Sequence, residues 1–362
     1  MIQNVKGVEN IFLSVLRADS DRDHINKEIQ HFTACDWDKL YEFAIQSGLF
    51  PVFYNCLLSL DLNNISADFL SRLKNLYFLN LRRNILLEQE LFRIISYFKG
   101  LNIPVMPLKG PILARYLYND LALRQTSCDL DLLVRHETIE KSKEKLAELD
   151  YSVCGIEHKR DFLLPANLSS RVSQIAFTKK IDSAANINLD LHWCIRGFFN
   201  DKSIQKLWQE ARYFDLGDQK ILVPSHEDHL IYLSLISISA LEFVQLKYLY
   251  DMHRLITIFG KELVWERLLD KARQLKLENC LYFPLNLSKI LFLTDIPNAL
   301  LERLRPNWLT RSLINVWINE KSVLSFREKA ARSYPLRYLL GRYLYSNSSA
   351  DFLRKSFRMI SN

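Results

Sequence analysis

The pattern of apolar positions predicts helices from the N-terminus to about residue 97. Apolar side chains recur there every three or four positions, and charged side chains take the positions between them. The clearest run is Leu73, Leu76, Tyr77, Leu81, Ile85 and Leu91. This period places the run on one face of a helix, so we expect an N-terminal helical region over residues 1–97.

Between residues 98 and 200 the pattern changes to short apolar runs with alternation. Ile103–Met106, continuing to Leu108, reads as a strand, and its two prolines confine it to an edge or an end of a sheet. A helix is expected from Pro111, strands at Asp129–Val134 and Ile187–Trp193, and an amphipathic helix lies between them. The sequence therefore predicts a small α/β core over 98–200.

From residue 201 onward the pattern predicts a C-terminal helical domain over 201–362, which is basic from about residue 301. Its last part, from Leu301 to Asn362, has twelve Lys and Arg against four Asp and Glu, whereas the whole chain carries +7. Such a segment can contact nucleic acid, anionic lipid or polyphosphate, or it can be a solvated helical surface. Both interpretations stay open at this point.

Composition favours a cytoplasmic globular protein. The first twenty residues lack the basic start and continuous apolar core of a signal peptide, and the longest apolar run, Leu230–Leu241, is too short to cross a membrane. The six cysteines are dispersed without a C-x-x-C pair, which favours reduced thiols over a disulfide or zinc framework.

Candidate chemistry comes from the stretch RQTSCDLDLLV at positions 124–134. Strand alternation places Asp129 and Asp131 on the same face, where two carboxylates repel each other unless a cation lies between them. Lys109 and Gly110 end the preceding strand. A glycine there lets backbone N–H groups approach a phosphate, and a lysine supplies a positive charge. Asp190 follows on a later strand that can lie beside the first.

Three clustered carboxylates suit two Mg²⁺ ions, which prefer hard oxygen ligands and substrate phosphates. Two such ions can stabilise the attacking and leaving oxygens of a displacement at phosphorus. Zinc fits less well, because His192 and the nearby Cys128 or Cys194 lack close ligand spacing.

The segment LKGPILARYLYNDLALRQTSCDLDLLV resembles the core of the polymerase-β-like nucleotidyltransferase superfamily, and within it a family of uncharacterised nucleotidyltransferases. The later strand ending in Leu191-His192-Trp193, the helix LKYLYDMHRLI and the N-terminal DWDKLYEFAIQSGLFPVFYNCL are also similar to that family. The resemblance covers about residues 35–260. It implies an α+β fold in which a small mixed-sheet core is flanked by N- and C-terminal helical regions.

The resemblance also implies roles for individual residues. Asp129, Asp131 and Asp190 would hold the metals, and Asp190 would help to activate an attacking hydroxyl. Lys109, Gly110, Arg124 and Ser127 would bind the nucleotide, although the serine expected after the glycine is missing here.

Several candidate residues keep a second interpretation. Lys109 can be an exposed lysine at a strand end, and Arg124 can pair with one of the two strand aspartates. His192 is expected to orient its neighbours. Lys247 and Asp251 are candidate supporting residues, although a spacing of four favours an ordinary pair along one helix.

Together these features predict a Mg²⁺-dependent enzyme that moves a nucleoside monophosphate from a nucleoside triphosphate (NTP) to a hydroxyl group, releasing pyrophosphate. A small molecule or peptide is the expected acceptor, because basic residues are not interleaved with aromatic residues as in a nucleic-acid site. The alternatives are kinase-like phosphoryl transfer on the same metals, and a binding protein without catalytic activity.

Overall fold

The structure, a computed structural model, describes residues 7–17, 21–127, 129–155, 174–181, 186–195, 201–238, 245–315 and 318–324. The N-terminal region is helical, as predicted. Its helices are α1 (Val8–Leu16), α2 (Arg22–Ile29), α3 (Ala34–Ser47), α4 (Phe50–Leu60) and α5 (Ala67–Gly100). The long helix α5 begins at Ser66, whose side chain accepts a hydrogen bond from the Phe69 amide and so caps the first turn.

A five-stranded mixed sheet follows. Its strands are β1 (Val105–Pro107), β2 (Asp129–Val134), β3 (Ser152–Gly155), β4 (Gln174–Lys180) and β5 (Asn186–His192), in the spatial order β1-β2-β5-β4-β3. Strand β2 is parallel to β5 and antiparallel to β1, and the other pairs are antiparallel. The strand that contains Pro107 lies at the edge of the sheet. Proline has no backbone N–H to donate to a neighbouring strand, so an edge position suits it.

Apolar side chains on one face of β2 and β5 are buried and form part of the core. Leu130, Leu132, Val134, Leu189 and Leu191 are at most 1 % exposed. Helices α6 (Pro111–Tyr118) and α7 (Ile139–Ala147) connect the strands, and α5 packs against both helices. The register of β2 on β5 is therefore determined by the burial of these leucines.

The C-terminal region contains a β-hairpin, which corrects the expectation of helices alone. Strands β6 (Arg212–Leu216) and β7 (Gln219–Val223) pair antiparallel, and β7 lies close to β1. The two-residue loop Gly217-Asp218, with Gly217 at a φ of +57°, joins them. A glycine and an aspartate between alternating runs is a hairpin signal that the helical interpretation passed over.

The remaining elements are helical. They are α8 (Asp201–Gln209), α9 (His226–Ser237), α10 (Leu246–Phe259), α11 (Trp265–Leu275), α12 (Glu278–Phe292), α13 (Asn298–Leu304), α14 (Trp308–Asn315) and α15 (Glu320–Leu324). Helix α10 packs against α9, α12 and α6, which brings the C-terminal region next to the sheet. None of the described helices combines the length and apolar composition needed to cross a bilayer.

The α+β class is confirmed: a mixed sheet lies between helical N- and C-terminal regions. The division at residues 97 and 200 stays a prediction. Most of the basic C-terminal segment, residues 325–362, lies outside the described residues.

Candidate functional site

The parallel pairing of β2 with β5 places acidic side chains side by side. Asp131 lies opposite Asp190 in the register, and Leu133 lies opposite His192. Three possible ligand atoms, one each from Asp131, Asp190 and His192, lie within 4.8 Å of one another. Two carboxylates and an imidazole at this separation can hold a metal ion.

Asp131 is the most buried member of this group, with 2 % exposure. Its Oδ1 accepts hydrogen bonds from Lys109 Nζ at 2.8 Å and pairs with His192 Nε2 at 3.1 Å. Burial alone would raise the pKa of Asp131, but Lys109 and His192 outweigh it and hold that pKa well below its usual range. The carboxylate is therefore ionised at neutral pH.

The second oxygen of this carboxylate is unused. Asp131 Oδ2 is buried and has no hydrogen-bond partner among the described residues. A buried anionic oxygen without a partner costs free energy that a bound cation would recover. This atom, with the oxygens of Asp190 beside it, fits the hard ligands that Mg²⁺ prefers.

Lys109 lies two residues beyond β1, where it contacts Asp131 and is only partly exposed, unlike an ordinary strand-end lysine. Burial lowers the pKa of Lys109, but Asp131 outweighs this effect and raises it well above its usual value. The next residue, Gly110, caps α6 at a φ of +73°, and a Cβ there would meet the Asp129 carbonyl oxygen at 3.7 Å. This conformation favours glycine.

Asp129 and Ser127 lie at the outer end of the site. Asp129 is half-buried, is not part of the metal-binding group, and its carboxylate makes no hydrogen bond or ion pair to another described residue. Ser127 is exposed. Both side chains are open to an incoming ligand.

Arg124 has a different partner from the two aspartates of β2. Its guanidinium is 3 % exposed and binds Asp251 on α10, with Nη2 to Oδ2 at 2.8 Å and Nε to both carboxylate oxygens at 3.0 Å. Burial lowers the pKa of Arg124, and Asp251 more than reverses this. The pair connects the loop before β2 to the C-terminal region.

The same contact corrects the expected pair between Lys247 and Asp251. Asp251 binds Arg124 and accepts a further hydrogen bond from the Tyr118 hydroxyl at 2.9 Å. Within the described part of the chain, Lys247 makes no hydrogen bond or ion pair. The bidentate geometry of arginine explains the preference, because it matches a carboxylate better than an ammonium does.

Three further residues support the site and were missed in the sequence. Gln174 Nε2 donates to Asp190 Oδ2 at 3.2 Å. Asn80 and Asn84 on α5 donate to the carbonyl of Arg124 at 3.0 and 2.9 Å and so hold the loop before β2. The buried face of α5 contains these asparagines, whereas Ile85, expected on that face, is 40 % exposed. A pair of asparagines at a spacing of four within an apolar stripe was the available signal.

Acidic side chains on adjacent strands of a small mixed sheet, next to a lysine and a glycine at a helix start, can hold a metal ion close to a phosphate group. The sequence model described as "Uncharacterised nucleotidyltransferase" matches residues 33–293. The chain belongs to this family. No curated protein matches the chain.

Proposed function

We propose that the protein is a Mg²⁺-dependent nucleotidyltransferase that moves a nucleoside monophosphate from an NTP to a hydroxyl of a small molecule or peptide, releasing pyrophosphate. One observation carries the proposal: the ionised Asp131 keeps a buried oxygen that has no partner among the described residues, opposite Asp190 on the adjacent parallel strand. Family membership supports nucleotidyl transfer as the reaction type.

Each residue has a task in this reaction. Asp190 accepts the proton of the attacking hydroxyl, the new bond forms between that oxygen and the α-phosphorus, and the bond to the pyrophosphate oxygen breaks. His192 and Lys109 orient Asp131 through its Oδ1. Asp131 and Asp190, with Asp129 at the outer end, would hold Mg²⁺, which would supply positive charge to the phosphate oxygens.

Phosphate groups have suitable donors near the sheet edge. Gly110 has no side chain that could cap the N-terminus of α6. Backbone amides at a helix N-terminus favour an anion. Ser127 is exposed beside Asp129 and offers a hydroxyl. Arg124 supports the loop through Asp251 and, since its guanidinium is committed there, we assign it a positioning role.

Labelled nucleotides test the reaction type. The full chain is incubated with Mg²⁺, a small-molecule extract or a peptide pool, and ATP, CTP, GTP or UTP labelled at the α or the γ phosphate. We expect α-label on an acceptor and release of pyrophosphate. Label arriving from the γ position would instead establish kinase-like transfer.

Asp131→Asn is the matched test of the site, and Asp215→Asn is its control, because Asp215 is also on a strand but is exposed. We expect a loss of transfer of at least about a hundredfold in the first variant only. Calorimetric titration with Mn²⁺ gives a readout without turnover, and binding should weaken in Asp131→Asn. Wild-type protein that binds neither Mn²⁺ nor any NTP would establish a protein without catalytic activity. The cytoplasmic location stays a prediction.

A further inference from the structure

Lys247 occupies a position that is unfavourable for a cation. It lies in the first turn of α10, whose N-cap residue Gln245 provides no side-chain hydrogen bond. The positive end of a helix dipole repels an ammonium group there. The side chain is only partly exposed, and its Nζ lies 5.0 Å from the centroid of the Tyr248 ring. Local position therefore does not account for a lysine at this site.

The surrounding charges also disfavour it. Burial is the main cause that lowers the pKa of Lys247 to about 8, and the nearby cations Arg124 and Lys109 lower it further. Asp251 and Asp129 act in the opposite direction but do not restore the usual value. Asp251 is bound to Arg124, and Lys109 is bound to Asp131, so these two cations are neutralised while Lys247 is not.

Close packing keeps the side chain in this place. Gly48, at the end of α3, has a φ of +73°, and a Cβ there would lie 3.2 Å from both Cβ and Cδ of Lys247. The same Cβ would lie 3.2 Å from Gln125 Oε1, on the loop that leads to Asp129. Three segments thus meet around the lysine stem: the end of α3, the loop before β2 and the start of α10. Packing of the stem, without an ion pair to a described residue, therefore holds this side chain.

We propose that Lys247 binds the triphosphate of the nucleotide and is a substrate-binding residue of this site. The inference rests on the proposed function, because it takes the NTP as the ligand. An anion at this position would neutralise Lys247, whose ammonium lies near the Tyr248 ring but forms no ion pair with a described residue. The same helix end that disfavours the free lysine would favour the anion. Departures from local stability rules of this kind are typical of functional positions.

Nucleotide affinity tests the assignment. The dissociation constants of ATP, AMP and adenosine are measured by calorimetry with Mg²⁺ for the full-length wild type, Lys247→Met and Lys247→Arg. The control is Lys261→Met, because Lys261 is exposed just beyond the other end of α10, about 20 Å away. We expect Lys247→Met to weaken ATP about ten- to a hundredfold, as for a lost charged hydrogen bond, and to leave adenosine unchanged. Lys247→Arg should recover most of the ATP affinity.

Two further readouts separate ligand binding from a structural role. Removing a half-buried cation that has no ion pair among the described residues should leave the melting temperature of ligand-free Lys247→Met equal to or above that of wild type, whereas loss of a structural contact would lower it. ATP affinity of the wild type should be highest below pH 8 and fall as the pH rises above it, because the free ammonium loses its proton there. Lys247→Arg should remove this fall.

Equal ATP affinity in the wild type, Lys247→Met and Lys261→Met would overturn the inference and leave the proposed function standing. Equal weakening of ATP and adenosine would also overturn it, since the loss would not depend on phosphate. Wild-type protein that binds no ATP would overturn both. The two failures are therefore distinguishable.

Discussion

Asp251 and Asp131 are both buried carboxylates, and they differ in whether both carboxylate oxygens have a hydrogen-bond partner. Asp251 is 0 % exposed, and both of its oxygens accept hydrogen bonds from Arg124, with a further one from Tyr118. Asp131 is 2 % exposed, but both of its contacts, Lys109 and His192, are to one oxygen. The other oxygen has no partner among the described residues.

The difference separates structural from functional charge. A buried ion pair with every oxygen satisfied connects two parts of the fold, and removing one partner leaves an uncompensated charge. A buried carboxylate with an unused oxygen is incomplete as a structural element. It becomes complete only with a ligand, so it is the better candidate for chemistry.

The largest effect is expected from Asp251→Asn. The substitution leaves the Arg124 guanidinium buried without a counter-ion, so we expect the free energy of unfolding to fall by about 3–5 kcal/mol. Chemical denaturation measures the change, and exposed Asp215→Asn should stay within about 0.5 kcal/mol of wild type. A loss below about 1 kcal/mol would show that the pair is not a structural connection.

A smaller loss is expected from Asn84→Ala. Asn84 is fully buried, donates to the carbonyl of Arg124 and accepts a hydrogen bond from the Thr126 hydroxyl. Leaving these groups without partners should cost about 2–3 kcal/mol and should weaken nucleotide binding through the loop. Asn75→Ala, at an exposed position on the same helix, is the control. Unchanged stability in Asn84→Ala would remove the role given to this contact.

His229 extends the comparison to a buried group that can lose its charge. It is 1 % exposed, and neither ring nitrogen has a partner among the described residues. Burial, followed by His226 and Arg124, lowers its pKa from 6.5 to about 3. The unfolded chain therefore binds the proton first, and stability is lost as the pH falls below about 6.5.

The size of this pH effect can be measured directly. Each pH unit below about 6 should cost roughly 1.4 kcal/mol from this group. Between pH 7 and 5, the unfolding free energy of His229→Phe should therefore fall by about 2 kcal/mol less than that of wild type. The exposed His136→Gln should match wild type. If the free energy of unfolding varied with pH in the same way in wild type and His229→Phe, His229 would be hydrated or charged in the folded protein.

The smallest stability effect is expected from Asp131→Asn. The amide oxygen can still accept from Lys109 and pair with His192, and the substitution relieves the repulsion between Asp131 and Asp190. Lys109 loses its counter-ion, but its side chain is 24 % exposed whereas that of Arg124 is 3 % exposed, so water can solvate the freed ammonium. We expect a change in the free energy of unfolding within about 1 kcal/mol, in contrast to Asp251→Asn. A loss as large as that of Asp251→Asn would show that both aspartates are structural.

Local patterns were sufficient to predict the helical regions, the small core between them and the strands that contain Asp131 and Asp190, and the family resemblance implied the α+β class. Period-two alternation marks β2 and β5, and the apolar faces of both strands favour their burial in one sheet. The hairpin β6–β7 was missed although Gly217-Asp218 signals a turn, because β6 is mostly exposed and has little apolar contrast. The buried face of α5 was predicted with the wrong residues, because Asn80 and Asn84 occupy buried positions that an apolar residue usually takes.

Long-range partners lie beyond local patterns. Arg124 and Asp251 are 127 positions apart, and nothing near either residue indicates the other. A spacing of four instead favoured Lys247 as the partner of Asp251, although arginine binds a carboxylate in a bidentate manner. The unpaired state of Lys247 follows from that long-range choice, so only the folded chain reveals it.

The register of β2 on β5 has a consequence for how this protein can evolve. Leu130 pairs with Leu189 and Leu132 with Leu191, and the alternate residues between them place Asp131 opposite Asp190. A slip by one residue would turn one carboxylate to the opposite face of the sheet. Selection for a well-packed core therefore also preserves the distance between the two acids. Sequence drift that repacks these leucines would alter the chemistry of the site even if every acidic residue were inherited unchanged.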